Sequence, residues 1–481
     1  MHRSVVLVAL VVLAGCAAPA PEPVASTTQA PTTVDPDLRI LGNGTGLPAA
    51  FEGGFEFDWK NIGFSGTEPT MGIAASGALF MAGFEPGALG VVQTVLRSTD
   101  GGTTWEQLAN PTGSPSTFET MLWVDEVTGR VFAHQLTIAC AWLSASDDEG
   151  ETWIQSPVSC GTPGIDHQKI ATGPYAAGSP FAPASGNPAY PNHVSMCYNK
   201  IGGTFCSISV NGGLTFVYEG LVDINTFSSG VATDRGCGGL NGHQTYAPDG
   251  TIYVPYGLNC GLAFVGVSTD GGFSWTPRRL GFSLVEADPA VAVTTDGTAY
   301  YLYRSDDQRM HLLRSSDRFV TFDGPWDITP PEVSGTIFPT LVAGSEGRIA
   351  WSFLGHTTPF AGEVPNATNA PAEARWHLYA GMSLDADGEA PTFVTRRVTS
   401  DNDPVQVGPI WEGGGGDPSR NLLNYNDMVV APDGRLFIAF GDGCISEACK
   451  GPDATPDDSR DQQLAFARLV SGPSLFGGRV G

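Results

Sequence analysis

The sequence predicts an all-β protein, a single β-propeller of seven four-stranded blades, with six as the alternative count. Three observations predict it. The 62 glycines and 36 prolines punctuate many short β-branched and aromatic runs, and helical periodicity is almost absent. A turn pattern, Ser-x-Asp-x-Gly-x-x-Trp, stands at Ser98–Trp105, Ser146–Trp153 and Ser268–Trp275. Ser209–Phe216 is a variant carrying Asn211, and Ser315–Phe322 and Ser383–Phe393 are decayed copies. A second unit, strand, glycine-containing turn, strand, recurs at Glu68–Gly83, Glu119–Gln135, Asp166 onward, Gly242–Gly257, Ala287–Asp307, Phe338–Gly355 and Tyr425–Gly443. Repetition of this kind reads as a radial repeat architecture.

The elements follow in order. The second unit supplies the inner strands A and B of each blade, and strands C and D flank the turn pattern. Blade seven has no D strand left after Leu464–Val470. Phe55–Phe64, with Trp59 leading into it, is expected to fill that place, closing the ring and removing a free sheet edge. In the turn, Asp and Ser satisfy backbone amides, glycine takes the positive φ, and the aromatic ring packs between neighbouring sheets. This motif resembles the Asp-box, or BNR repeat, of the sialidase superfamily, and the resemblance covers most of the chain.

The first 15 residues read as a removable export signal: Arg3, then an apolar run from Val5 to Ala14 too short for a permanent span. Leu13-Ala14-Gly15-Cys16 resembles a bacterial lipobox, which implies that Cys16 carries a lipid and anchors the chain to a membrane. Residues 16–50 are then a Pro/Ala/Thr-rich tether and 51–481 the propeller. Exported to the cell surface or periplasm, the eight other cysteines are expected to pair locally as Cys140–Cys160, Cys197–Cys206, Cys237–Cys260 and Cys444–Cys449. The net charge of −26 excludes nucleic acid and anionic lipid as ligands. A monomer is expected, without a cofactor; a structural Ca2+ remains open and any other metal unassigned.

Strand direction sorts the loops. With A running downward, A–B turns and the Asp-box turns lie below; B–C and D–A loops lie above. The Asp-boxes therefore identify the fold and not the site. The long insertions Gly355–Arg375, Ser400–Asn424, Gly443–Gln462 and Val217–Asn241 fall on top with the cysteines, whereas Tyr175–Asn192 falls below with no role assigned. Entries to the inner strands converge on the channel: Glu68, Glu119, Asp166 with His167, His243, Asp288, and Asn426 with Asp427. Of these, Glu68, Glu119, Asp166, His243, Asp288 and Asp427 are candidates for general acid and base chemistry; His167, Asn426, Trp411 and Arg420 are candidates for ligand contact. Sialidase chemistry needs an arginine triad, whose first member sits in an Arg-Ile-Pro motif in the opening blade. Here that stretch reads Gly66-Thr67-Glu68-Pro69-Thr70-Met71, and Arg235, Arg304 and Arg420 stand in no recognisable motif. The family's fold is therefore carried over, and its catalytic residues are not. Three functions remain: a surface module binding an extracellular glycan or protein through its top face, a glycoside hydrolase using channel carboxylates, and an envelope assembly scaffold.

Overall fold

The computed structural model describes residues 35–481 except 43–45, 88–89, 112–115, 138–139, 161–164, 184–187, 201–202, 225–239, 259–261, 283–287, 361–364, 413–416 and 458–460. Cys16 and the leader, Arg235, and the pair Cys237 and Cys260 lie outside the described residues.

Seven antiparallel sheets, each built on four blade strands and three of them extended by short additional strands, form a propeller. The innermost strands are Thr67–Ile73, Thr120–Val124, Asp166–Gly173, Thr245–Tyr246, Ala290–Val293, Gly335–Ala343 and Asp427–Val430. Each touches the next, and the last touches the first, so the ring is closed. Closure uses both ends of the propeller chain. Blade seven runs from Asp427–Val430 through Leu436–Asp442 and Gln463–Pro473 to an outer strand, Glu56–Ser65, taken from before blade one. Trp59 of that strand faces Phe440 with ring centroids 6.0 Å apart.

The expected tether loses its C-terminal part. Leu38–Gly42 pairs antiparallel with Thr392–Arg396 as a fifth strand on blade six, and the compact unit is Asp37–Gly481, so the expected boundary at residue 51 moves back. The reason is edge pairing: unpaired groups on an outer strand accept a short extended segment readily. Among the described residues no helix is long and apolar enough to cross a membrane.

The repeated turns show how adjacent blades are fastened. At Ser146, Oγ accepts from the Gly150 amide at 2.8 Å and donates to Asp148, whose Oδ1 accepts from the Thr152 amide at 2.8 Å. The same bonds recur at Ser98, Ser209 and Ser268. Glycine is required at the second turn position for two reasons. Gly102 has φ 85°, and a Cβ there would lie 2.2 Å from the Phe466 ring of blade seven. Gly150 likewise abuts Leu108 of blade one, and Gly272 abuts Ile208 of blade three. Each turn thus lies against the preceding blade. In the decayed copy of blade five, Phe319 takes the position at φ 57° and packs edge-on against Tyr253 of blade four. Bulk replaces close approach there, at the expense of backbone strain.

Three of the four expected disulfides are formed: Cys140–Cys160, Cys197–Cys206 and Cys444–Cys449. They fit folding in an oxidising compartment. The first bridges the upper ends of strands C and D of blade two, and the last closes a loop after strand B of blade seven, above the ring.

Ser146→Ala removes the acceptor of a buried turn amide and is expected to lower unfolding free energy by about 1–3 kcal/mol in a urea titration; an unchanged midpoint would show that the turn does not fasten the blades.

Candidate functional site

At the upper mouth of the channel the first residues of the inner strands meet. Two of them are aimed by backbone distortion. Strand A of blade one carries a register break between Thr67 and Thr70, strand A of blade three one between Asp166 and Lys169, and strand A of blade six one between Ile337 and Thr340. Within them Glu68 sits at φ 48°, His167 at φ 51° and Phe338 at φ 58°, all in the left-handed region that side chains rarely adopt. A bulge of this kind re-aims a side chain, and here it buries Glu68 and His167 together at the channel mouth.

His167 is held on both ring edges. Nδ1 lies 3.0 and 3.1 Å from the two Asp288 oxygens, and Nε2 lies 3.2 Å from Nδ2 of Asn424. Arg420 Nη2 donates at 2.9 Å to Oδ1 of the same Asn424, which turns its amide nitrogen toward the imidazole. The two edges ask for different protonation states. Burial and the amide contact favour neutral imidazole; Asp288, with Asp166 and Glu119 nearby, pulls the pKa up to about 9. A charge-assisted bond to carboxylate outweighs a neutral one, so His167 is a cation at neutral pH and the Asn424 contact is the one that yields. Burial alone would raise the Asp288 carboxyl, but His167 and then Lys169 hold it below the ordinary carboxylate range.

Lys169, absent from the sequence-derived set, occupies the centre of this group. It is 1% exposed, and its Nζ makes no hydrogen bond. The ammonium lies 3.6 Å from Asp288 Oδ2 and 3.1 Å from the ring centroid of Tyr425, a second residue that sequence reasoning missed. Tyr425 is buried and donates to the Thr120 carbonyl at 3.2 Å. Lys169 acts electrostatically on Glu68 and on Glu119. It acts also on His134, His243 and Asp427, so blades one, two, four and seven all face it, as blade five does through Asp288.

Glu68, Glu119 and Asp427 are shifted the other way, their ionisation delayed by burial. Burial, opposed only in part by His167 and Lys169, pushes Glu68 up to about 7. Glu119 is pushed to about 8 by burial and by Asp166, with Glu68 adding to the repulsion. Its Oε1 has no hydrogen-bond partner, and its Oε2 meets the Gln168 amide once that amide is turned to satisfy both neighbours. Asp427 rises to about 7 through burial, although it accepts the Met71 amide at 2.8 Å. His243 lies 3.7 Å from Asp427; its ring is half-buried but Nε2 is enclosed, and burial with Lys169 lowers it to about 3. His243 and Asp427 therefore meet as neutral groups at mildly acidic pH.

The set expected to converge on the channel is thus brought together: Glu68, Glu119, Asp166, His167, His243, Asp288 and Asp427 are linked by bonds or by charge, and Asn426 stands in the same chain entry with Oδ1 on the Gly441 amide at 3.4 Å. Arg420 joins them through Asn424. Trp411 is fastened to the same top loop, its amide donating to the Ser419 carbonyl at 3.0 Å. Arg304 is fully buried and paired with Glu412 of that loop. Among the described residues no cluster of three or more His, Cys, Asp or Glu is arranged to hold a metal ion.

No protein-family model matches the chain, and no curated protein does. Solved structures do. A protein of unknown function from Dyadobacter fermentans is 14% identical over 90% of this chain and 99% of its own, with a TM-score of 0.42. The alpha-L-arabinofuranosidase of Fusarium graminearum is 13% identical, covering 71% of this chain and 96% of its own, at 0.40. The intramolecular trans-sialidase of Ruminococcus gnavus is 13% identical, covering 83% and 93%, at 0.39. At such identities none of them gives a residue of this chain a role.

The raised carboxyls have a consequence for stability. A carboxyl that ionises near pH 4.5 when unfolded but near 8 when folded favours the native state in acid, and that contribution is lost as pH rises from 4.5 through 8. Glu119→Gln, which mimics the protonated form, is expected to flatten the fall in urea-unfolding free energy over that window; a slope equal to wild type would place Glu119 in water.

Proposed function

We propose that this chain is an exported, lipid-anchored Asp-box propeller whose channel mouth binds an extracellular glycan. One observation carries the reading: three buried carboxyls whose ionisation is delayed to about pH 7 or 8, beside a fixed ion pair, in a rigid ring. Protonated carboxyls, amides and imidazole offer donors and acceptors at close spacing, which is what sugar hydroxyls require, and a preformed site avoids ordering costs. Cross-linked top segments support the same reading, because they hold the rim in one geometry. The Ser-x-Asp-x-Gly-x-x-Trp turns and the Leu13–Cys16 run support the family and anchor assignments respectively.

A second reading, a glycoside hydrolase, is favoured by Glu119 alone. A carboxylic acid with its pKa near 8 is the form a general acid needs when protonating a leaving oxygen. The two readings separate cleanly. On a glycan array the chain lacking its tether is expected to retain a defined set of glycans, and Asp288→Asn to lose them; no retention sinks the binding proposal. If the site is hydrolytic, aryl-glycoside turnover is expected to fall roughly a hundredfold or more in Glu119→Gln while glycan retention survives.

A further inference from the structure

The element that neither reading uses is the Lys169 ammonium. Three N–H donors placed in a water-poor interior without a hydrogen bond are costly, since a buried unsatisfied charged donor forfeits its hydration with nothing in return. Asp288 does not settle the account. Its carboxylate already holds His167 at 3.0 and 3.1 Å, and its distance to Lys169 is 3.6 Å, beyond hydrogen-bond range. The ring of Tyr425 lies against the ammonium through its π-face, which attracts a cation but accepts no conventional hydrogen bond. Two further buried atoms in the same mouth, Nδ2 of Asn426 and Oε1 of Glu119, also lack partners.

The formal charges leave room for one more anion. His167, Lys169 and Arg420 stand against the carboxylates of Asp288 and Asp166; the other carboxyls facing Lys169 are those of Glu68, Glu119 and Asp427, each raised by burial, with His134 and His243 the imidazoles. In a chain of net charge −26 this is an inverted spot, buried where the surrounding negative surface does not neutralise it.

We propose that the Lys169 ammonium, backed by His167 and assisted by the Asn426 amide, receives a carboxylate of the ligand, so that the channel mouth selects acidic over neutral glycans. This rests on the glycan-binding reading and specifies the ligand class for it. The pH dependence follows from the neighbours. Ionisation of Glu68 and Asp427 near 7 and of Glu119 near 8 would bring negative charge beside the incoming carboxylate, so affinity falls as pH rises through that range.

The test is isothermal titration of the chain with methyl glucuronide and methyl glucoside, which differ at the carboxylate. At mildly acidic pH the glucuronide is expected to bind about tenfold more tightly, the size of one charge-assisted hydrogen bond. Lys169→Met is expected to abolish that preference, bringing the two affinities together, and Lys169→Arg to keep part of it. Equal affinities in the wild-type chain overturn the proposal, as does a preference that survives in Lys169→Met. Should Lys169→Met fail to fold, the wild-type comparison and Lys169→Arg still decide. A chain that binds neither glycoside refutes the glycan reading instead. The lysine site is then judged by titrating acetate and following the ε-carbons of the four lysines by NMR. A shift confined to the signal lost in Lys169→Arg supports the site, and no shift overturns it.

Discussion

Ring closure is the constraint on which the rest depends. A sheet of three strands at the end of the chain is completed by Glu56–Ser65 from its beginning, so no blade is placed independently of the others. The repeated turns extend the same logic around the circle: in blades one to four a glycine of the turn touches a side chain of the blade before it, and at Gly102 that blade is the last one. The position of every inner strand is therefore set by the whole ring. That is why seven short strands, several only four or five residues long, can present their first residues to one axis without local support.

Within that frame, the mouth of the channel is where local rules are broken. Glu68 and His167, like Phe338 in blade six, occupy left-handed conformations that cost of order 1–3 kcal/mol each. Both breaks swing an ionisable side chain into a place where it is desolvated and set beside another. The strain, the buried Lys169 and the raised carboxyls coincide in one place, and the packed blades around it have to offset all three. Stability on the underside offers a contrast: Asp100, Asp148 and Asp317 are exposed, satisfied by turn amides and hydroxyls, and lowered by those bonds. The same residue type is structural at one end and chemically poised at the other: turn donors hold the exposed carboxylate below, whereas burial above favours the protonated form.

Much of the fold was legible because its determinants are local. The turn pattern needs only eight consecutive residues to form its bonds, the cysteine pairs span short separations, and the missing outer strand of blade seven was a simple deficit to be filled. Strand polarity then sorted Glu68, Glu119, Asp288 and Asp427 to one end without any knowledge of their contacts. Leu38–Gly42 was missed because its pairing partner lies about 350 positions away and a run of five residues does not stand out from the tether before it. Lys169 and Tyr425 were missed for a different reason. Alternation along strand A of blade three gives no sign that a bulge between Asp166 and Lys169 will change which face the lysine meets. The one available hint was chemical: a lysine followed by Ile170-Ala171-Thr172-Gly173, in a chain with only four lysines, is a charge in a strand that has no solvated face.

That hint bears on how the protein's charge should be understood. A surplus of carboxylates over the whole chain suggests a surface that repels anions, and taken as an average it argues against an acidic ligand. Yet field strength at a site depends on the groups within a few ångströms and on the dielectric around them, while distant surface charges are screened over roughly 10 Å of salt solution. Lys169 is enclosed by a tyrosine ring, one carboxylate already engaged, and carboxyls whose ionisation burial delays to about pH 7 and 8. The outer charge slows the approach of an anion; the inner arrangement governs whether it stays. In a rigid ring these two effects are separable, because residues on the outer strands alter the first without moving the inner strands that define the second.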